Sequence, residues 1–471
     1  MNSADMERLF ALQRAAFARE RYPDLHTRQD RLARLKALVT ENEARFAAAV
    51  DSDFGDRSEH ETRLAELYIV AAEVGDAQGN LKRWMRPVRV STPLHLLPGR
   101  ARIERQPLGV AGIISPWNYP VQLALAPALG ALAAGNRVLL KPSELTPATS
   151  ALLQELVAAR FGEDEFAVVL GDAEVGRAFT HLPFDHLFFT GSTAVGRHVA
   201  RAAADNLTPV TLELGGKSPA LFAPDADLAL CTPRLMAGKL LNAGQTCIAP
   251  DYALVPADRV DVFVAAAKAA AARLYPSYAS NPDYTAIINE RHFLRLTALI
   301  DDAHAKGATI VPLAPANEVP DPASRKLPPM LIVGVDDTMA VMREEIFGPL
   351  LPVESYASID DAVVKINGRP HPLAFYYFGR DRTRCGSVLR QTLAGGVTVN
   401  DTLWHFAHKN LPFGGVGASG NGAYHGEATF LTFTHRKPVF VQPRFAAAKL
   451  LYPPYGKLFE NVLGLLGRLN G

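Results

Sequence analysis

Only three cysteines occur in 471 residues, at positions 231, 247 and 385. So few thiols build no disulfide framework, which points to a reducing compartment, and their spacing is not that of a zinc site. No HExxH occurs and the 13 histidines show no ligand spacing, so no metal is expected. No charged run disturbs the balance of 49 Lys and Arg against 48 Asp and Glu, formally +1, which argues against nucleic acid as a partner. No apolar run reaches the roughly 20 residues that cross a bilayer, and residues 1–21 carry charges throughout, unlike a signal peptide. An internal repeat is missing too. What remains is the expectation of a soluble, cytoplasmic protein. A hydrophobic fraction of 48% supports a large core, shared between two or three domains because single cores stop growing near about 250–300 residues.

Helical spacing fills residues 5–85. Leu32, Leu35, Leu38 and Val39 recur at helical intervals, Thr27 and Asp30 read as a capping box, and a second helix covers 63–84. Residues 88–91 and 101–105 alternate apolar with polar around Pro98-Gly99, which predicts a hairpin with little core of its own, an arm for pairing with another subunit. From 108 to about 212, short apolar runs (109–114, 137–140, 167–170, 186–189) alternate with helical stretches (123–134, 150–160, 196–205). A second such unit follows to about 400, with strands near 220–222, 252–255, 309–313, 330–333 and 396–400 and helices near 258–274 and 289–306. This alternation predicts an α/β fold of two doubly wound parallel sheets, whose ligands bind at the carboxyl ends of the strands. Residues 312–329, rich in proline, read as a surface loop. Residues 430–435 alternate again and are expected to pair with the ribbon. Helical apolar spacing over 458–469 is expected to pack on a dimer partner rather than on a membrane.

Six constellations carry chemistry. Cys247 lies between a Gly-Gln-Thr turn and an Ile-Ala-Pro run where proline ends any helix. A cysteine in a loop beside a helix end is poised to ionise to the reactive thiolate; the plainer alternative is a small buried hydrophobe. Residues Gly191, Ser192, Thr193, Ala194, Val195 and Gly196 join an apolar run to a helix, where backbone N–H groups at the positive helix end suit a pyrophosphate, unless this is an ordinary tight turn. Lys141 and Glu144 close another strand. A carboxylate there accepts both hydroxyls of a ribose and repels a 2′-phosphate, or else pairs with the lysine at the surface. Asn118, held between Pro116 and Pro120, suits an oxyanion donor, or is a structural turn. Glu213 lies in an apolar run before Gly215 and Gly216; a desolvated acid has a raised pKa and suits a general base, unless a lysine pairs with it. Glu345 and Phe347, in Glu-Glu-Ile-Phe-Gly-Pro, suit a second ribose and a nicotinamide ring, or a solvated acidic turn.

In order along the chain stand PWNYP, KPSE, FTGSTAVG, LELGGKSP, GQTCIAPDY, EEIFGP, GGVTVND and LPFGGVGASGNGAYHG. With these the chain resembles the aldehyde dehydrogenase superfamily from about residue 20 to residue 440. GQTCIAPDY and the short N-terminus look like its class 3 branch, which includes fatty and aromatic aldehyde dehydrogenases, and residues 288–303 look most like bacterial coniferyl-aldehyde dehydrogenases. The resemblance implies Cys247 as nucleophile, Glu213 as general base, and Asn118 with the Cys247 N–H as oxyanion donors. It implies Lys141 and Glu144 at the adenosine ribose, Gly191 to Gly196 at the pyrophosphate, and Glu345 and Phe347 at the nicotinamide ribose. Trp404, His405 and Phe406 fall where the family lines its substrate funnel, and aromatics there suit a flat or long apolar aldehyde, unless they are core packing. NAD is the cofactor implied, with NADP left open, and the oligomer implied is a homodimer. The domains expected are a dinucleotide-binding domain (1–86 and 108–214), a catalytic domain (215–420), a bridging ribbon (87–107 and 421–445) and a tail (446–471). The activity implied is oxidation of a coniferyl-aldehyde-like aldehyde to the carboxylate through a cysteine thiohemiacetal and thioester. A fatty-aldehyde dehydrogenase, a CoA-acylating enzyme and a catalytically silent relative are the alternatives; Glu213 argues for water over CoA, and the Cys247, Glu213 and Asn118 set against silence.

Overall fold

Helices come first in the computed structural model, which describes residues 3–315 and 318–470. Leu25–Thr40 buries Leu32, Leu35, Leu38 and Val39, as the spacing predicts. Its cap lies earlier than the Thr27 box: Asp24 accepts from Thr27 N at 2.8 Å, and Asp30 pairs instead with Arg34 at 2.8 Å, one turn on. Both Asp24 and Thr27 are good cap residues by type; the chain enters from Pro23 in extended form, which favours the earlier one. The helix expected over 63–84 opens as a π-helical turn, Arg63–Tyr68, and continues as Ile69–Trp84.

Two large sheets follow. In the six-stranded sheet Val110–Ile114 pairs parallel with Arg137–Lys141 and His186–Thr190; Phe166–Val168 extends one side and Val210–Glu213 the other. Gly420–Asn421 closes its edge antiparallel, with Gly420 opposite Glu213. In the seven-stranded sheet Tyr252–Pro256 and Pro219–Phe222 are central, flanked by Leu350–Tyr356, Met330–Val333, Ala374–Phe378 and Gly396–Val399, all parallel, with Thr309–Pro312 as an antiparallel edge. Helices cover both faces, so the inner strands are almost wholly buried, Ser355 being exposed, and read mostly as apolar runs. For that reason Ala374–Phe378 and Leu350–Tyr356 gave no alternation and escape a period-based reading. Between sheet and N-terminal helices runs Gln122–Ala134, buried on every side and accordingly almost wholly apolar.

The third sheet is a ribbon. Val88–Val90 pairs antiparallel with Arg100–Pro107 as expected, joined through a short 3-10 turn at Leu94–Leu96. Thr434–Val441 then pairs with the whole of Arg100–Pro107, from Thr434 opposite Pro107 to Val441 opposite Arg100. The strand expected at 430–435 is thus displaced: Gly426–Thr432 is a helix that buries Thr429 and Phe430, and the strand starts after it. The tail forms the amphipathic helix Lys457–Asn470, with Leu458, Leu463 and Leu465 exposed. Among the described residues no helix is long and apolar enough to cross a membrane.

Candidate active site

After helix Leu228–Leu240 the backbone turns left-handed for three successive residues, Asn242 (φ 53°), Ala243 (φ 50°) and Gly244 (φ 76°). Glycine takes this conformation freely, and a Cβ at 244 would also collide with the Gly348 carbonyl. Asn242 is held there by its partners. Its N–H donates to Glu61 Oε2 at 3.0 Å, and its Nδ2 donates to the carbonyls of Asn118 at 3.0 Å and Gln245 at 3.1 Å. Gln245 Nε2 donates to the Asn242 and Ala286 carbonyls at 3.1 and 3.0 Å, and Gln245 Oε1 accepts from Ile288 N at 3.0 Å. The left-handed reversal delivers Cys247, half-buried, to the wall of a cavity of about 730 Å³.

Asn118 stands beside that loop. Its Nδ2 donates to the Gln245 carbonyl at 3.1 Å, which leaves one of its two N–H groups free. Its carbonyl accepts from Arg57 Nη1 at 2.7 Å; Arg57 lies over the Tyr119 ring at 5.0 Å, with Nη2 3.5 Å from fully buried Glu66. Glu66 Oε2 accepts in turn from Val121 N at 2.7 Å and Gln122 N at 3.2 Å, where the following helix begins. The Tyr119 hydroxyl bonds Thr246 Oγ1 at 2.7 Å, tying the residue after Asn118 to the residue before Cys247. Arg57, Glu61 and Glu66 carry no spacing signal in the sequence; the fold brings them to the site, while Asn242 lies in the cysteine stretch itself.

The thiol is not poised to ionise as its loop position suggests. Burial pushes Cys247 up to about 12, and the nearby carboxyls of Glu345 and Glu213 add to the rise. The N–H groups of Cys247 and Ile248 work the other way.

Glu213 ends strand Val210–Glu213, 2% exposed, and neither carboxylate oxygen has a hydrogen-bond partner among the described residues. Burial alone raises its pKa well above the usual carboxylate value; no lysine pairs with it among the described residues. Glu345 lies against Gly215, where a Cβ would run into its carboxylate, and it accepts from the Gly216 N–H. Burial first, and then Asp251, push it up to about 8. Asp251 also anchors this segment, accepting from Ile346 N at 2.8 Å and pairing with Lys217. Phe347 sits at φ 50° with its ring 5.3 Å from Trp117, next to Asn118 in the chain.

At the carboxyl end of His186–Thr190 the Gly191 N–H donates to the Glu213 carbonyl at 3.0 Å, which fixes the glycine turn beside the acid. Ser192 Oγ caps helix Thr193–Asp205 through Val195 N at 3.4 Å, leaving the Thr193 and Ala194 N–H groups at the helix start. Ala194 and Val195 are exposed, and Gly196 packs on Leu214. Lys141, buried at the end of Arg137–Lys141, donates to the exposed Glu144 at 2.8 Å. Free N–H groups at a helix start, a strand-end carboxylate and a second carboxyl folded onto glycines fit a dinucleotide with two riboses.

The substrate trio divides. Trp404, 63% exposed, and Phe406 line the cavity with Tyr68, Tyr119 and Leu123. His405 does not: it turns inward, with Nδ1 at 2.8 Å from Thr398 Oγ1, and burial pushes it down to about 4. The alternation of a short helix, Trp404–Ala407, sends its second residue into the core. No group of three or more metal-ligating side chains occurs among the described residues.

Comparison with known proteins gives one family. The model of the aldehyde dehydrogenase family matches residues 1–439. The chain is 51% identical to a probable coniferyl aldehyde dehydrogenase of Pseudomonas aeruginosa, over 97% of this chain and 95% of that protein. A substrate-bound Staphylococcus aureus AldH superposes with TM-score 0.92 at 38% identity, covering 98% of this chain and 99% of the other. An indole-3-acetaldehyde dehydrogenase, AldA of P. syringae, in complex with NAD+ and IAA superposes with TM-score 0.84 at 25% identity, over 94% and 90%.

Proposed function

Since the chain belongs to the aldehyde dehydrogenase family and oxidises aldehydes with NAD(P), we propose that its substrate is an aromatic or long apolar aldehyde, of the coniferyl-aldehyde kind, and that Cys247, Glu213 and Asn118 do the chemistry. The observation that carries this reading is Cys247 on the wall of a large, mostly apolar and aromatic cavity, with the free N–H of Asn118 beside its loop.

Cys247 Sγ attacks the aldehyde carbon, and its proton leaves for the ionised form of Glu213, which with Glu345 is one of the two carboxyls whose charge bears on the sulfur, and passes from there to solvent before hydrolysis. The carbonyl oxygen becomes an oxyanion held by Asn118 Nδ2 and the Cys247 N–H. When bound, the nicotinamide cofactor supplies the hydride acceptor. The thioester left on Cys247 is hydrolysed by water whose proton Glu213 removes, releasing the carboxylate and the thiol. The residues that would hold the cofactor are Lys141 and Glu144 at one ribose, the turn Gly191 to Gly196 at the pyrophosphate, and Glu345 and Phe347 at the nicotinamide end. A panel of cinnamyl, benzyl and long aliphatic aldehydes compared by kcat/KM tests the substrate reading; preference for short polar aldehydes would refute it. Free CoA should yield no acyl-CoA, because Glu213 directs water to the thioester.

The finer organisation follows the same reading. Residues 1–86 and 108–214 bind the cofactor, 215–420 carry the nucleophile, and 87–107 with 421–445 form the ribbon by which two copies pair. Light scattering at twice the 50.9 kDa chain mass is the expected result. Three unpaired thiols suit a cytoplasmic setting.

A further inference from the structure

Glu73 stands apart from the rest of the cavity wall. It projects from helix Ile69–Trp84, is 8% exposed, and lines the same cavity as Cys247. Its neighbours on that wall include Ile69, Ala72, Leu123 and Phe406. The group in pairing range of its carboxyl is Nε2 of His425, at 3.5 Å, too long for a hydrogen bond. His425 offers no compensating charge: it is fully buried, and burial pushes it down to about 3 against a smaller raising contact from the Phe406 backbone. Its ring is clamped by Phe406 at 4.7 Å and Tyr424 at 4.4 Å, so it cannot swing closer. Gln122, on the next helix, brings an amide to the same wall.

A carboxyl in a mostly apolar wall, with no hydrogen bond to the described residues, is costly, and a ligand that bonds it would offset that cost. Burial pushes Glu73 up to about 8, with Asp76 one turn away adding to the rise, so near neutrality it carries its proton and both donates and accepts. A substrate cation or carboxylate suits such a group poorly. A hydroxyl suits it well, because a hydroxyl also donates and accepts. Lys409, which lines the same cavity, is already paired with Asp76 at 3.0 Å.

We propose that Glu73 is a specificity-determining residue that reads a phenolic hydroxyl on the ring of an aryl aldehyde whose carbonyl is held at Cys247. This rests on the aryl reading above and narrows it to hydroxylated rings. An unsubstituted or O-methylated ring enters the same cavity but leaves the carboxyl unsatisfied or donates nothing to it, and is discriminated against.

The test compares 4-hydroxycinnamaldehyde, 4-methoxycinnamaldehyde and cinnamaldehyde by kcat/KM, in the wild-type protein and in Glu73→Leu and Glu73→Gln. The wild type should favour the hydroxylated aldehyde by at least about tenfold over the methoxy compound, chiefly through KM. That preference should vanish in Glu73→Leu and largely survive in Glu73→Gln, which still donates and accepts. The wild-type ratio needs no variant, so a Glu73→Leu protein that fails to fold leaves the test intact. Equal wild-type rates on all three would overturn the role of Glu73 while the aryl reading stands. Turnover of aliphatic aldehydes alone would overturn both.

Discussion

At the scale of the residue, the proposed chemistry rests on two groups whose pKa burial raises. Cys247 is pushed up to about 12, first by burial and then by Glu345 and Glu213. Alkylation by iodoacetamide should therefore be slow at pH 7 and climb through pH 10 without a plateau. Glu345 itself ionises near 8, so above that pH its charge holds the thiol proton on; Glu345→Gln should alkylate faster than wild type at pH 9. Equal rates would remove Glu345 from the thiol's surroundings. Glu213 is raised by burial, so its base form grows as pH rises and thioester hydrolysis should speed up with it. Glu213→Gln should lose that alkaline rise and accumulate acyl-enzyme, read by intact-protein mass spectrometry after aldehyde and NAD are mixed. Residue type and order single out Cys247, Glu213 and Asn118 as candidates in the sequence. The direction of the thiol's shift was not legible, because it depends on burial and on Glu345, far along the chain.

At the scale of the element, the left-handed stretch Asn242–Gly244 is the part whose shape the chemistry requires. Two non-glycine residues there store strain of order 1–3 kcal/mol each, held in check by Glu61, Asn118 and Gln245. Gly244→Ala adds a Cβ against the Gly348 carbonyl at φ 76° and should displace the loop. We expect kcat to fall at least about a hundredfold, as a shift near 1 Å at a reacting centre does, with a lower melting temperature; a wild-type kcat would refute the need for this turn. The sequence announced a turn here through Gly-Gln-Thr but not its hand. It announced the ribbon through alternation, yet misplaced its third strand because a helix, Gly426–Thr432, ends on residues that happen to alternate.

At the scale of the whole molecule, the alternation of apolar runs and helices was enough to foresee two parallel sheets, while the antiparallel edges and the buried charge network were not, since both depend on pairing between distant segments. Stability against pH reports on that network. Burial raises Glu61 to about 7 and Glu73 to about 8 from 4.5. The folded chain holds these protons more tightly, so this contribution is full below pH 4.5 and is lost as pH rises toward 8. Burial lowers His186 to about 4 and His425 to about 3 from 6.5, so theirs is present above pH 6.5 and lost on acidification. The melting temperature should fall on both sides of a broad maximum, and Glu73→Gln should flatten the alkaline side in scanning calorimetry; an unchanged alkaline slope would contradict the burial of an acid there.

The edge strand Gly420–Asn421 lies against Val210–Glu213, with Gly420 opposite Glu213. During synthesis the ribosome must therefore carry the chain past residue 421, some two hundred residues beyond Glu213, before that carboxyl acquires its edge neighbour. A nascent chain released short of that point should fold much of its first sheet and still turn over no aldehyde, so competence arrives in a single late event.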